Sequence, residues 1–369
     1  MTKPLISIIA GARPNFMKVA PIIRELSNRR DRFDWELVHT GQHYDRDMSD
    51  VFFEELEIPK PNYYLDAGGG SHAEQTAKIM VRYEEVCLKS HPRLVLVVGD
   101  VNSTLACSIV AKKLQIEVAH VEAGLRSGDM HMPEEINRMV TDSITDYFFV
   151  TEPSGMDNLR KEGKPEASLF FVGHVMIDNL FHQLEKLKKS DLTQFGTQSL
   201  KASLGQYGIV TLHRPSNVDS PESLANILGV LGEISARLPL IFAVHPRTAQ
   251  NMQKFGIEIP STIHRTPPLP YMEFLNLWSE SSVIFTDSGG IQEESTALGI
   301  PCVTLRENTE RPVTVTEGTN VLVGSDKERI REETLAILGG KRRGQRRRPA
   351  LWDGKAAIRI VDELQRLLG

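Results

Sequence analysis

The chain has 369 residues, of which 40% are hydrophobic and 25% are charged, an ordinary globular composition. Its length favours two domains of similar size. A formal net charge of −5 and a pI near 6.2 exclude a general attraction to nucleic acid or to an anionic membrane, so any affinity for anions must be local.

Cysteine usage and the absence of export signals indicate a cytoplasmic protein. The three cysteines, Cys87, Cys107 and Cys302, are widely spaced and lie in apolar contexts, which is typical of reduced core residues. The first apolar run is too short for a signal-peptide core, and no window is long enough for an apolar spanning helix.

Short β-rich runs alternate with helix-length amphipathic segments along the first half of the chain, which favours an α/β fold with parallel sheets. The predicted strands are LISIIA, WELVHT, LVLVVG, EVAHV and YFFV, all apolar enough to be covered on both faces. The best-marked helix follows GGG, where Ser71 and Glu74 form a capping-box pattern.

The alternation restarts after SLFFVGH (168–174) with the predicted strands GIVTLH, LIFAVH, VIFTDS and CVTL. We therefore predict two doubly wound, Rossmann-like domains, 1–174 and 175–369, with the last helix (about 355–368) packing back toward the N-terminal domain. The run 341–348 contains six lysines or arginines, and we interpret it as a solvated loop. A basic patch for nucleic acid would need more area and interleaved aromatic residues.

Polar and charged residues follow nearly every predicted strand. In the first half these segments are GARPN, GQH, DVNST and EAGLR, and in the second half they are HRPSN, HPR and SGGIQEE. In doubly wound sheets, ligands bind beyond the carboxyl ends of the strands. The pattern therefore predicts an active site in a cleft between the two domains.

Three carboxylates are candidates for acid/base chemistry. Asp100 directly follows LVLVVG, Glu122 directly follows EVAHV, and Glu134 lies in MPEE. Such carboxylates often only cap turns or helices, but like charges in a partly closed cleft raise one another's pKa and so provide proton donors and acceptors. His213 adds a group that titrates near neutrality, although a lone histidine could equally be a capping or core residue.

The segment DSGGIQEES (287–295) follows a predicted strand and opens a helix. Gly289 and Gly290 would let backbone amides approach a ligand closely, and a helix start favours phosphate. The alternative is a simple tight turn. Glu294, one helical turn further on, is placed to accept two hydroxyls, as from a ribose, which favours a nucleoside diphosphate.

Three cations could hold a diphosphate. Arg311 precedes a proline that stiffens its loop, and Arg13 and Lys18 lie near the start of the chain. Ordinary surface charge is the competing interpretation for Arg13 and Lys18. The carboxylates with one histidine could instead hold a hard divalent cation, whereas the sequence has no Walker-type P-loop, no G-x-G-x-x-G and no G-x-S-x-G.

Seven segments together resemble the non-hydrolysing UDP-N-acetylglucosamine 2-epimerases, in order and over nearly the whole chain: GARPNFMK, TGQH, VVGDVNSTLA, HVEAGLRSGDMHMPEEINR, TLHRPSN, TDSGGIQEE and NTERPVT. The resemblance implies a glycosyltransferase-B type fold, with UDP held mainly by the second domain and the sugar between the two. It also implies a homodimer, no metal or nicotinamide cofactor, and a role in cell-surface polysaccharide synthesis.

The implied reaction interconverts UDP-GlcNAc and UDP-ManNAc by anti elimination of UDP to 2-acetamidoglucal, followed by re-addition. One base and one acid on opposite faces of the sugar are needed, and cations stabilise the departing diphosphate. The resemblance assigns catalysis to Asp100, Glu122, Glu134 and His213. It assigns UDP binding to Arg13, Lys18, Ser288, Gly289, Gly290, Glu294 and Arg311, sugar binding to Arg138 and Asn217, and allosteric contacts to Gln42, His43 and His245. Which carboxylate removes the C2 proton stays open.

Some motifs depart from the family pattern. The chain reads GQHYDRDM and EQT where substrate-activated members carry GQHR-x-M and an arginine before QT, which predicts weak or altered activation by substrate. HRPSN replaces the commoner HRRE and removes a charge near the sugar. Relatives that act on diacetamido uronic-acid sugar nucleotides share the implied fold, so such a sugar nucleotide remains an alternative substrate.

Three other functions also remain: a UDP-sugar glycosyltransferase of the same fold, a hydrolysing epimerase and a non-catalytic sugar-nucleotide sensor. A glycosyltransferase would need an acceptor site, and a sensor would have no use for Asp100, Glu122 and His213 together.

Overall fold

A computed structural model describes residues 3–41, 53, 56–340 and 348–369. The chain forms two compact units. Unit 1 comprises Met1–Asn179 and Ala350–Gly369, and unit 2 comprises Leu180–Pro349. None of the described helices is both long enough and apolar enough to cross a membrane.

The described strands of unit 1 form a parallel sheet of seven strands in the order β3-β2-β1-β4-β5-β6-β7. They are β1 (Leu5–Ala10), β2 (Asp34–His39), β3 (Tyr63–Tyr64), β4 (Leu94–Val98), β5 (Glu117–Val121), β6 (Tyr147–Val150) and β7 (Leu169–Phe171). The helices are α1 (Arg13–Asn28), α2 (His72–Ser90), α3 (Asn102–Lys113), α4 (Pro133–Ile144) and α5 (Pro153–Lys161), with a 3-10 turn at Glu166–Ser168.

Unit 2 contains a parallel sheet of six strands in the order β10-β9-β8-β11-β12-β13. They are β8 (Gly208–Thr211), β9 (Leu240–Ala243), β10 (Ile263–Thr266), β11 (Val283–Thr286), β12 (Cys302–Thr304) and β13 (Asn320–Leu322). The helices are α7 (Gln198–Leu204), α8 (Pro215–Val218), α9 (Pro221–Ser235), α10 (Pro246–Phe255), α11 (Tyr271–Trp278), α12 (Gly289–Leu298), α13 (Val313–Thr316) and α14 (Lys327–Leu338), with a 3-10 turn at Leu192–Gln194.

Both sheets have the strand order of a doubly wound fold. The order reverses between β1 and β4 in unit 1 and between β8 and β11 in unit 2. The central strands are covered on both faces, and all five residues of β4 are buried. The predicted capping box is confirmed, because the Ser71 hydroxyl accepts the Glu74 N–H and the Glu74 carboxylate accepts the Ser71 N–H. The predicted α/β fold with two doubly wound domains is confirmed.

Two further helices connect distant parts of the chain. Helix α6 (Val175–Leu187) contains the division between the units, which falls after Asn179. Helix α15 (Ala356–Leu368) belongs to unit 1 and packs against α1. The Asp178 carboxylate accepts the N–H groups of Ala356 and Ala357 at 3.0 and 2.7 Å, which satisfies two donors at the start of α15.

Candidate active site

The turns after β4 and β5 carry the first two candidate carboxylates at the carboxyl edge of the unit 1 sheet. Gly99 and Asp100 follow β4, and Glu122 follows β5, which pairs with β4 in parallel. Glu122 has a φ of 70°, a left-handed conformation that is uncommon for a residue with a side chain. Such conformations are maintained by their surroundings, and here the Glu122 N–H donates to the Phe149 carbonyl at 3.0 Å.

Glu122 forms a buried ion pair with Lys18 of α1. The Lys18 Nζ lies 2.5 Å from the Glu122 Oε2, and these side chains are only 11% and 2% exposed. A Cβ added at Gly99 would lie 3.0 Å from the Lys18 Nζ, so glycine allows this pair to pack against the β4 turn. On the other side, the His174 Nε2 is 3.8 Å from the Glu122 Oε1.

Asp100 forms an ion pair with Arg138 of α4. The Arg138 side chain is 4% exposed and also contacts Glu135, whose Oε2 is 2.7 Å from one guanidinium nitrogen. Glu135 in turn accepts the N–H groups of Ser127 and Gly128 at 3.0 Å. Burial alone would raise the pKa of the Glu135 carboxyl, but the hydrogen bonds from the Ser127 N–H and from Arg138 outweigh burial and lower the pKa.

Asp100 and Glu122 thus each form an ion pair, and the expectation that clustered like charges tune the candidate carboxylates stays a prediction. Each of them contacts a cation from a neighbouring helix, because the helices after β1 and β5 bring Lys18 and Arg138 to the same edge of the sheet. Glu134 lies half-buried in the first turn of α4, one helical turn before Arg138.

In unit 2, a buried aspartate orients the candidate catalytic histidine. The His213 Nδ1 is 2.8 Å from the Asp287 Oδ1, and Asp287, which follows β11, is fully buried. Asp287 also accepts the backbone N–H of His213 and of Arg214. Burial would raise the pKa of Asp287, but the hydrogen bond and charge of His213 outweigh it and lower the pKa. With Nδ1 donating to this carboxylate, Nε2 is the nitrogen suited to exchange a proton.

Two other predicted residues of unit 2 lie next to this pair. The Asn217 amide donates to Asp287 at 3.1 Å and to the Leu305 carbonyl at 2.8 Å, a geometry that supports Asp287; its contact with a sugar remains a prediction. The His245 ring centroid is 5.6 Å from that of His213. Burial and the neighbouring His213 lower the pKa of His245.

Three of the predicted contacts depend on residues outside the described part of the chain. Gln42 and His43 lie outside the described residues, and so does the side chain of Arg13, whose backbone begins α1. The roles assigned to these three residues remain predictions.

The N-terminus of α12 carries the predicted phosphate contacts. Ser288 precedes the first helical residue, and its N–H donates to the Thr286 hydroxyl at 3.0 Å. Apart from the adjacent residues and the backbone of α12 itself, no atom of the described residues lies within 4 Å of a Cβ added at Gly289 or Gly290, so the space beside both backbones is open. Unpaired N–H groups at such a helix start suit an anion.

Two consecutive glutamates of α12 have different environments. Glu293 forms an ion pair with Arg311, the predicted diphosphate contact. Glu294 is buried, and burial, together with the charge of Glu293, raises the pKa of its carboxyl to about 8 despite a hydrogen bond with Tyr271. Glu294 therefore holds a proton at neutral pH in this structure.

Glu294→Gln is expected to change how stability depends on pH. The folded pKa of Glu294 lies above its unfolded value, so this carboxyl favours the folded state at low pH, and that contribution is lost as pH rises through the folded pKa. Between about pH 5 and pH 8, the melting temperature of the native protein should therefore fall relative to that of Glu294→Gln. Thermal unfolding across this range, with Glu332→Gln on the exposed face of α14 as control, measures the effect. Parallel curves for native protein and Glu294→Gln would contradict it.

Sequence reasoning missed several residues of these two edges. Asp287 was available as a carboxylate directly after a strand, in the same position as Asp100 and Glu122. Glu135 was visible only as one charge among several, and its contact with Arg138 depends on the helix that carries both. No sequence signal pointed to His174 beside Glu122, because 52 residues separate them.

Comparison with known proteins decides the family. The family model described as UDP-N-acetylglucosamine 2-epimerase matches residues 24–365 of this chain. The chain belongs to this epimerase family. The resemblance seen in the sequence motifs is thus confirmed, and so is the expectation that the protein is an isomerase.

Individual members of the epimerase family match over nearly their whole length. The UDP-N-acetylglucosamine 2-epimerase of Methanocaldococcus jannaschii is 42% identical over 362 residues, which cover 96% of this chain and 97% of that protein. Its crystal structure in complex with UDP-GlcNAc and UDP has a TM-score of 0.85 at 41% identity and covers 98% of this chain and 99% of that one. The UDP-2,3-diacetamido-2,3-dideoxy-D-glucuronate 2-epimerase of Pseudomonas aeruginosa is 39% identical, covering 97% of this chain and 99% of that protein.

Proposed function

We propose that this protein interconverts UDP-GlcNAc and UDP-ManNAc without hydrolysis. The observation that carries the proposal is the pair of strand-end carboxylates, Asp100 and Glu122, each held against a buried cation at one sheet edge of unit 1. Unit 1 would supply the carboxylates that act on the sugar, and unit 2 would supply His213. Unit 2 would bind UDP through the start of α12, Glu294 and Arg311.

The proposed reaction needs two proton transfers at C2 of the sugar. A base removes the C2 proton, the C1–O bond to UDP breaks, and the electron pair forms the C1–C2 double bond of 2-acetamidoglucal. An acid then protonates C2 from the opposite face, and UDP adds back to C1. Asp100, Glu122, Glu134 and His213 are the groups we propose for these transfers. Cationic side chains and helix-start amides would stabilise the diphosphate as it leaves.

Epimerisation in heavy water tests this function. Incubation of the purified protein with UDP-GlcNAc should give UDP-ManNAc carrying deuterium at C2, because the proton that returns comes from solvent. NMR follows the C2 signal, with no acceptor, metal or NAD added. Product without deuterium at C2 would contradict elimination and re-addition, and release of free N-acetylmannosamine would indicate a hydrolysing enzyme instead.

The same assay should be run with a diacetamido uronate sugar nucleotide, because a relative that is 39% identical is an epimerase of that substrate. That relative is the UDP-2,3-diacetamido-2,3-dideoxy-D-glucuronate 2-epimerase of P. aeruginosa. The two sugar nucleotides differ at C3 and C6, so the ratio of their kcat/KM values measures the specificity of the protein for the substituents at those positions. A higher kcat/KM for the diacetamido uronate would replace UDP-GlcNAc as the proposed substrate.

We also propose a cytoplasmic homodimer, as the family resemblance implies, that supplies a sugar nucleotide for cell-surface polysaccharide synthesis. All three cysteines are free and buried, which suits a reducing compartment. Apolar side chains on α2 and α4 that are exposed in the single chain support an interface with a second copy. These are Val81 and Leu88 on α2, and Ile136, Met139 and Val140 on α4.

A further inference from the structure

A second buried charge cluster lies beneath the turns that carry Asp100 and Glu122. His120, on β5, is fully buried, as is Asp142 of α4. The His120 Nδ1 is 2.7 Å from the Asp142 Oδ1, and the His120 Nε2 is 2.8 Å from the Gly99 carbonyl oxygen. Neither side chain has a place in the reaction described above.

Hydrogen-bond geometry indicates where the hydrogens of this pair lie. A carbonyl oxygen can only accept, so the His120 Nε2 must carry a hydrogen. The Asp142 Oδ2 accepts the Gly124 N–H and lies 2.8 Å from the Arg126 guanidinium, contacts that suit an ionised carboxylate. A carboxylate accepts from Nδ1 only if that nitrogen also carries a hydrogen, so an ion pair with Asp142 requires His120 to donate from both nitrogens.

The pair connects the two turns that hold the candidate carboxylates. On one side, His120 holds the carbonyl of Gly99, the residue directly before Asp100. On the other side, the Asp142 Oδ2 accepts the N–H of Gly124, two residues after Glu122, at 3.0 Å. Gly99 and Gly124 both have positive φ, at 68° and 80°, a conformation that glycine adopts without strain, so each contact restrains a turn whose glycine is otherwise free to change conformation.

Charges around the pair reduce the cost of burying it. The Arg126 guanidinium lies 2.8 Å from the Asp142 Oδ2 and also pairs with Glu162 at 2.8 Å. A buried ion pair is weak evidence for stability, because desolvation offsets much of the attraction. The short contacts that the His120–Asp142 pair makes with both turns are the stronger argument for a role in function.

We propose that His120 and Asp142 are positioning residues, a buried ion pair that holds the turns after β4 and β5 so that Asp100 and Glu122 keep their reactive geometry. The inference rests on the proposed function. Small displacements of reacting groups lower the rate by large factors, so the pair acts through the alignment of the two side chains that these turns carry.

Two substitutions of His120 separate its two contacts. In His120→Gln the amide nitrogen takes the place of Nε2 and can still donate to Gly99. In His120→Asn it takes the place of Nδ1 and can still donate to Asp142. We expect kcat to fall by about 10²-fold in His120→Asn and by about 10-fold in His120→Gln, with KM for UDP-GlcNAc little changed in both.

The matched control is His131→Gln, because His131 forms an exposed contact of the same type, with Nδ1 3.2 Å from the Asp129 Oδ1. It should leave kcat unchanged. Circular dichroism and thermal unfolding show which variants fold. Unchanged kcat in folded His120→Asn overturns the proposal, and so does equal loss in the two His120 variants, which is what a purely structural role predicts.

A measurement without substrate separates this inference from the proposed function. In protein with ¹⁵N-labelled histidine, the NMR signals missing from His120→Gln belong to His120, and both ring nitrogens should carry hydrogen. A His120 nitrogen without hydrogen overturns the ion pair, even if His120→Asn fails to fold. An inactive native protein whose His120 carries both hydrogens would overturn the proposed function alone and leave the ion pair standing.

Discussion

Asp100→Asn should lower the turnover number by about 10²-fold or more while UDP still binds. Asparagine has nearly the same shape as aspartate and can still accept a hydrogen bond from Arg138. The substitution therefore removes the negative charge and the ability to exchange a proton, with little change in packing. Turnover of UDP-GlcNAc and calorimetric titration with UDP measure the two effects separately.

Asp129→Asn is the matched control for this substitution. Asp129 lies in the loop before α4, and its side chain is 46% exposed. This variant should keep native turnover. If folded Asp100→Asn turns over at the native rate, Asp100 has no part in the mechanism, whereas loss of UDP binding in Asp100→Asn would indicate a wider structural effect.

The second large effect is expected at the ion pair of Lys18 and Glu122. Lys18→Met and Glu122→Gln should each destabilise the protein by about 3 kcal/mol, because each removes one partner of a buried ion pair. The double variant should recover most of that stability, since it buries neither charge. All three should lose turnover, because the proposed acid/base group or its cation is gone.

Thermal and urea unfolding of the native protein and the three variants measure this coupling. The loss of stability in the double variant should be well below the sum of the two single losses. Additive losses would show that the ion pair does not couple the two side chains. Native turnover in Glu122→Gln would remove Glu122 from the proposed mechanism.

The sequence predicted the placement of Asp100 and Glu122 because each follows an apolar run that reads as a strand covered on both faces. Parallel pairing of β4 with β5 then brings the two residues to the same edge. Helix α12 was predicted for a similar reason, since its glycines directly follow a strand. These features depend on local patterns and on the general rule for doubly wound sheets.

The partners of these residues could not be predicted from local patterns. Arg138 is 38 residues beyond Asp100, and Lys18 is 104 residues before Glu122, so each contact depends on how a helix packs on the sheet. His120 gave one signal that could have been used: a histidine inside a strand buried on both faces must find hydrogen-bond partners. Its partners, Asp142 and the Gly99 carbonyl, come from a helix and from a neighbouring turn.

Because unit 1 ends with Ala350–Gly369, unit 2 is an insertion within it. During synthesis on the ribosome, α15 can pack against α1 only after all of unit 2 has been synthesised. Until then, the buried Asp178 carboxylate lacks the two amides of α15 that it accepts in the native state. The order of synthesis thus allows unit 2 to fold first, and Ala350–Gly369 then complete unit 1.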